Sequence, residues 1–522
     1  MYERLMVGSG SPEEILSALK TVKPGSIDML DLSVLHLGAL TGTTLLEIFK
    51  AIPEGVRCLN LSANELSTFR LRPHELGNRH LTPDGWIKMN AEYLARVFQS
   101  IPKTVTTIDL SDNDFGKMAI DYLIGITGSI STSVTTLNLS SNDLGKDSYE
   151  RLSSLFKAMP KGLHSLNLSG NDLSRLSQKL SLALRDLPQG LTSLDLSLNH
   201  LDHLKPDDVA SAFHAIHEGV NQLVLSMNFR QMRGEFFSKF PKILSSLSVG
   251  VNSLDLSSNQ LSVTIHFTGE RLGVALSRLA PSVVSLDLSS NHLDTCSPKV
   301  LAKILSQLSS TVMYLDLGMN LFGGMPDDAL KEILTAIPPN VKVLSLRGSQ
   351  LNKLSQEQLH SALAALHKEL LWLDLSENEL GAFHLPVFAN LLAPSTHVSL
   401  AFRDNGLENA YKIRILDDTP MTVSVHDQSP IAEGGVDSIG AGSSSDSDVD
   451  NLNKPCVKPF CAEEPLSKIH EKSKKQDAHP HRGEKSVSRF RVFSEPSTQH
   501  DSSASEEVSE KKSGPTPRRK SI

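Results

Sequence analysis

Residue types that do chemistry in proteins are present in this chain, but not at the spacings chemistry needs. Its four cysteines are Cys58, Cys296, Cys456 and Cys461. A cysteine nucleophile works as the thiolate, and Cys58, a lone Cys without a placed histidine or a catalytic domain, is weak evidence for one. Cys456 and Cys461 precede His470, His479 and His481. These are zinc-ligand types, yet their spacing fits no structural zinc pattern. No G-x-x-x-x-G-K-[ST] loop, H-E-x-x-H pair, G-x-S-x-G elbow or paired C-x-x-C occurs. The expectation is a protein that is not an enzyme and holds neither metal nor cofactor, so the informative side chains are those suited to recognition.

Two groups of such side chains stand at matching places in a repeated phrase. Asp255, Asp287 and Asp316 each sit between two leucines. Two residues earlier most copies carry Ser, Thr or Gln, but three successive copies carry Tyr314, Val343 and Trp372, with Met313, Lys342, Arg347, Leu371 and Arg403 nearby. On adjacent strands roughly 5 Å apart, neighbouring carboxylates repel by about 0.8 kcal/mol even at the dielectric of water. A row of three is either a set of solvated positions common to the repeat or the counterpart of a basic partner. Aromatic and Arg side chains are the usual energetic centres of protein interfaces; here they either form one or pack beneath the end of the fold. The candidate interface residues are Tyr314, Lys342, Arg347, Trp372, Arg403, Asp255, Asp287 and Asp316.

What positions them is the phrase itself. It reads VRCLNLSANEL from Val56, VTTIDLSDNDF from Val105, VTTLNLSSNDL from Val134, LHSLNLSGNDL from Leu163 and LTSLDLSLNHL from Leu191. Later copies start at Val220, Val251, Val283, Val312, Val341, Leu370 and His397, and a degenerate first copy starts at Ile27. From Val105 onward the starts are 27 to 32 residues apart, the signature of a solenoid. Alternation in Leu166-Asn167-Leu168 predicts a short strand. Leu152, Leu155, Phe156 and Met159 fall on one helical face, and the spacing returns as Leu301, Ile304, Leu305, Leu308 and as Leu330, Ile333, Leu334, Ile337. Pro160-Lys161-Gly162 stops the first of these helices. One strand and one helix cannot enclose their own apolar face, so each unit must bury it against its neighbours. The ninth position is Asn in eleven of thirteen copies, Leu35 and Ser349 being the exceptions. A carboxamide both donates and accepts, so this Asn is expected to satisfy the backbone of a buried turn.

Matched against L-x-x-L-x-L-x-x-N-x-L, the copies make residues 27–407 resemble the leucine-rich-repeat family, and the 28 to 29 residue period resembles its ribonuclease-inhibitor-like subtype. The resemblance implies an α/β solenoid, a horseshoe with a parallel β-sheet on the concave face and helices on the convex face. It also implies a monomeric scaffold that binds a protein partner.

Residues 1–26, with Ser11-Pro12 at a helix start, are expected to cap the stack, and 408–420 to close its other end. The step from Val56 to Val105 is 49 residues. It predicts an insertion near 67–90 that protrudes as a loop, with Arg70, Arg72 and Trp86 as candidate contacts. Residues 421–522 are dominated by Ser, Pro, Lys, Glu and Asp without apolar periodicity, which predicts disorder. The formal net charge of −8 argues against nucleic acid, which is bound through an excess of Lys and Arg. Apolar runs are too short for a membrane span, Met1 to Gly10 shows no secretory signal, and so few, scattered cysteines fit a reducing compartment.

The stretch from Ser502 to Glu510, with Glu506, Glu507 and Glu510 inside a candidate signal at 500–522, resembles the glutamate-rich signal of Dot/Icm type IV substrates. Intracellular bacteria with that system deliver repeat proteins of this subtype into host cells. The resemblance implies an effector that reaches the host cytoplasm without a cleaved signal and engages a host protein. The same repeats also resemble the GTPase-activating proteins of nuclear transport, whose acidic concave surface grips a small GTPase, so a GTPase regulator is the alternative. Against it, this tail alternates in sign and ends in Arg518-Arg519-Lys520-Ser521-Ile522.

Overall fold

The computed structural model describes residues 4–7, 10–72, 83–146, 148–232, 234–262, 270–326 and 328–380, and the backbone of 397–400, 411–413 and 424–425. The chain divides into two units, Met1–Ile431 and Ala432–Ile522, and every described residue belongs to the first. Arg403, Glu506, Glu507, Glu510 and, apart from 424–425, the tail expected to be disordered lie outside the described residues.

Each copy of the phrase forms one three- or four-residue strand whose central side chain is apolar. In chain order the strands are Arg4–Met6 (β1), Met29–Asp31 (β2), Cys58–Asn60 (β3), Thr107–Asp109 (β4), Thr136–Asn138 (β5), Ser165–Asn167 (β6), Ser193–Asp195 (β7) and Gln222–Val224 (β8). They continue as Ser253–Asp255 (β9), Ser285–Asp287 (β10), Tyr314–Asp316 (β11), Val343–Ser345 (β12), Trp372–Asp374 (β13), His397–Leu400 (β14), Tyr411–Ile413 (β15) and Ser424–Val425 (β16). They form one sheet in sequence order. Pairing is parallel up to β14, and β15 and β16 turn antiparallel. The thirteen copies are β2 to β14, a leucine-rich-repeat solenoid.

Between strands the chain returns through helices whose apolar stripes face the sheet. Tyr149–Ala158 buries Leu152, Leu155 and Phe156; Pro298–Leu305 buries Leu301, Ile304 and Leu305; Ala329–Thr335 buries Leu330, Ile333 and Leu334. Together with the strand leucines they make one continuous core.

Two elements differ from the sequence expectation. Arg4–Met6 pairs in parallel with β2, so the N-terminal segment is a strand followed by the helix Pro12–Thr21, which Ser11 and Glu14 close with a capping box. Trp86, expected on a protruding loop, lies in the helix Pro83–Gln99. That helix takes up part of the extra length, and its Leu94, Val97 and Phe98 carry an apolar face the core buries; residues 73–82 lie outside the described residues.

The asparagine ladder is what lets the strands follow one another. Asn142 Oδ1 accepts from the N–H groups of Asn113 (2.9 Å) and Phe115 (3.3 Å), its Nδ2 donates to the carbonyls of Leu110, Leu139 and Ser140 (3.0 Å each), and its own N–H donates to Asn171 Oδ1 (3.0 Å). Such Asn-to-Asn bonds run unbroken from Asn64 to Asn320. Beside the ninth position the backbone is left-handed in most copies, at Ser141 (φ 54°) and Asp143 (φ 58°) for example, even where the residue is Leu198 or Leu321. Each such non-glycine residue costs on the order of 1 kcal/mol, and the carboxamide bonds hold the turn against that cost.

The ladder stops at Ser349, whose side chain is fully buried and whose Oγ has no hydrogen-bond partner among the described residues. A hydroxyl is too short to reach the neighbouring turn as a carboxamide does. Ser349→Asn is therefore expected to raise stability by about 1–2 kcal/mol, read as an increase in the thermal unfolding midpoint; an unchanged or lower midpoint would show that the turn has adapted to serine.

Candidate functional site

Strand geometry sends the central leucine of each strand into the core and its two flanking residues to the opposite face. The register then lines those residues up in two rows. One runs Ser253, Ser285, Tyr314, Val343, Trp372; the other runs Asp255, Asp287, Asp316, Ser345, Asp374. Tyr314 is 40% and Trp372 38% exposed, and Met313, Met319 and Leu371 are exposed beside them. The structure thus places Tyr314 on β11 and Trp372 on β13, with Val343 of β12 between them, in a row where most other strands present Ser, Thr or Gln.

The basic residues of this region are already engaged. Lys342 pairs with Glu369 and donates to the Pro339 carbonyl (2.8 Å). Arg347 pairs with Glu377, which holds its guanidinium above its ordinary value, and it also feels Asp374 and Asp316. Glu369 and Glu377 were missed by sequence reasoning. They lie 27 and 30 residues from their partners, one repeat on, and that offset is the signal that would have found them. Asp255 and Asp287 form no ion pair with any described residue, so the net character of the face around β9 and β10 is anionic.

Each aspartate of the row has a local task that needs no charge. Asp255 Oδ1 accepts from the Ser257 N–H (2.7 Å), Asp287 Oδ1 from Ser289 (2.7 Å), Asp316 Oδ1 from Gly318 (2.7 Å) and Asp374 Oδ1 from Ser376 (2.9 Å). Asn60, Asn138 and Asn167 make the same bond with a neutral amide, at 3.0, 3.0 and 2.8 Å. The charge comes at a cost. Burial, and then the carboxylates of Asp255 and Asp316, push Asp287 up to about 7; burial also raises Asp316 and Asp195.

A carboxyl raised on folding stabilises the native state while it is protonated. That contribution is complete below the unfolded-chain value near pH 4 and is lost as pH rises towards 7. Asp287→Asn is accordingly expected to leave stability nearly unchanged at pH 4 and to raise it by on the order of 1–2 kcal/mol at pH 8. Chemical unfolding at the two pH values checks this, and a gain independent of pH would contradict it.

Of the other candidates, Arg70 and Arg72 are already hydrogen-bonded. Arg70 donates to the carbonyls of Ser67 (3.0 Å) and Phe69 (2.5 Å) and lies over the Tyr122 ring at 5.4 Å, so its guanidinium ties the chain after β3 to its neighbour. Arg72 reaches the Ala39 carbonyl at 3.5 Å. The side chain of Trp86 lies outside the described residues. Cys58 is half-buried on β3, and burial pushes the Cys296 thiol up to about 12, the opposite of what a nucleophile needs. Among the described residues no three His, Cys, Asp or Glu side chains converge as metal ligands, and no helix is long and apolar enough to cross a membrane.

Thirteen stacked copies, one parallel strand in each and a buried asparagine ladder define a class. The chain belongs to the leucine-rich-repeat family, whose members bind protein partners. A family model described as Leucine Rich repeat matches residues 131–150. Among solved structures the chain is similar to the leucine-rich repeat-containing protein LegL7 from Legionella pneumophila, at 31% identity over 54% of this chain and 86% of that one, with a TM-score of 0.49. It is also similar, at 17% identity over 77% of this chain and 90% of the other, with a TM-score of 0.38, to a structure of the Rad7 and Elc1 complex in yeast. None of the curated proteins matches it.

Proposed function

We propose that this chain is a binding scaffold that holds a host protein on its strand face, centred on β11 to β13, and that it is a type IV effector. The observation that carries the binding reading is the exposure of Tyr314 and Trp372 on a regular sheet, at positions where most copies carry Ser, Thr or Gln. Exposed apolar patches on an otherwise polar surface mark interaction sites, and aromatic side chains on rigid elements bind with little loss of conformational freedom. Lys342, Arg347 and Arg403 are assigned to the rim of that contact. Delivery into the host rests on the Ser- and Glu-rich stretch with Glu506, Glu507 and Glu510.

Affinity capture from host-cell lysate, comparing the wild type with Tyr314→Ala plus Trp372→Ala, tests the binding face; capture that ignores the substitutions moves the site elsewhere. For delivery, a reporter fused to the full chain is expected to reach host cytoplasm, and removal of residues 503–522 is expected to abolish this. Undiminished delivery would refute the signal. The acidic row supports a second reading, regulation of a small GTPase. Faster single-turnover GTP hydrolysis by any member of a small-GTPase panel in the presence of the purified chain would establish it in place of a passive scaffold.

A further inference from the structure

Charge and apolar surface are distributed unevenly along the face. From β11 to β13 it offers Met313, Tyr314, Leu371 and Trp372, while Lys342 and Arg347 are absorbed by Glu369 and Glu377. Arg347 also sits close enough to Asp316 and Asp374 to interact with both. One step further, at β9 and β10, Asp255 and Asp287 face outward with no cation from the described part of the chain. An apolar patch therefore stands next to two carboxyl groups with no ion-pair partner among the described residues, on the same wall and in a known register.

We infer that this face takes an extended segment of a protein partner, with aliphatic residues on Tyr314, Leu371 and Trp372 and a Lys or Arg over Asp255 and Asp287. The inference rests on the reading above that this is the binding face. Geometry sets the spacing of the segment. Two strand separations from β10 to β12 are roughly 10 Å, and the two-residue offset between the rows adds roughly 7 Å at right angles. The diagonal of roughly 12 Å is three to four residues of extended chain. An acidic segment would meet Asp255 and Asp287 without a free cation to answer it, and a nucleic acid would meet the same repulsion along its whole length. The charge at Asp255 and Asp287 has no structural task, because Asn60, Asn138 and Asn167 make the same turn bond without it. A basic partner supplies that task. Its cation would also draw the proton from Asp287, whose neighbours on the two flanking strands are Asp255 and Asp316.

The test uses the full-length protein and three fluorescein-labelled twelve-residue peptides, read by fluorescence anisotropy. The first carries Leu-Leu and, four positions on, Arg-Arg; the second replaces Arg-Arg with Glu-Glu; the third places Arg-Arg directly beside Leu-Leu. The first is expected to bind at least about tenfold tighter than the second and tighter than the third. Asp255→Asn plus Asp287→Asn should erase the preference for Arg over Glu, and Trp372→Ala should weaken the first peptide by about tenfold or more. Affinity for the first peptide should rise from pH 6 to pH 8, and Asp287→Asn should remove most of that rise. Equal affinity of the Arg and Glu peptides, no measurable binding by any of them, or full binding by the Asn variant overturns the inference. If lysate capture still depends on Tyr314 and Trp372 while the peptides show no charge preference, the binding face stands and only the basic segment falls. Capture indifferent to both aromatics removes the face itself.

Discussion

Changing Tyr314 and Trp372 together to Ala is expected to weaken binding of the captured partner by about 100-fold or more, because a buried aromatic anchor is commonly worth 2 kcal/mol or above and each 1.4 kcal/mol is tenfold. The same change should leave folding almost untouched. Both rings are more than a third exposed in the isolated chain, and surface substitutions away from special features usually stay within about 0.5 kcal/mol. A comparison pair at the equivalent row positions, Thr136→Ala plus Ser165→Ala, removes no aromatic surface and should bind as the wild type does. Titration calorimetry for binding and thermal unfolding for stability separate the two effects. Parallel losses in both would mean that the rings support the repeat rather than a partner.

The second large effect is expected in the ladder. Asn171 Oδ1 accepts from the N–H groups of Asn142 (3.0 Å) and Leu144 (3.2 Å), and its Nδ2 donates to the carbonyls of Leu139 (3.0 Å), Leu168 (2.9 Å) and Ser169 (3.2 Å). Asn171→Ala strips all five from a site with no solvent access. At about 1 kcal/mol for each buried group left unpaired, and with some relaxation, the cost is about 3–5 kcal/mol. The turn loses its support at the same time, since Asp172 next to it holds a left-handed φ of 55°. Because a solenoid is stabilised unit by unit through its neighbours, the damage should concentrate in the flanking copies. Hydrogen exchange should accelerate first at the Asn142 and Leu144 amides. Intact protection there, with a loss below about 1 kcal/mol, would show that the ladder bonds are redundant.

Much of this was legible in the residues because every copy repeats the same statement. The strand leucines and the helical stripes follow from periodicity, and the ladder follows from the demand that a buried turn satisfy its own backbone. The less legible parts share a different cause. Arg4-Leu5-Met6 carries too little of the phrase to be recognised, and becomes a strand only because β2 offers an edge. Trp86 was misplaced because the length of an insertion does not say whether it is spent on loop or helix. In the site, the two rows could be written down from the phrase, but their meaning could not. Whether Tyr314 and Trp372 are covered, and whether Lys342 and Arg347 are free, depends on what lies one repeat away.

The sequence by itself determined the solenoid, its register as far as β13 and the identity of the residues on that strand face, because those are consequences of a short pattern that each unit obeys locally; at β14 the pairing is shifted by two residues, Asp374 lying opposite Ser399 and not Ala401. The tertiary structure alone decided the state of that face. It neutralised Lys342 and Arg347 with Glu369 and Glu377, left the aromatic pair partly exposed, and raised Asp287 through burial beside two carboxylates. It also set non-glycine residues at left-handed φ in repeat after repeat, including Leu198 and Leu321, whose own preference is against it. Desolvation and ion pairing are properties of neighbours in space. Here those neighbours stand about one repeat apart in the chain, beyond what any single copy of the phrase can express.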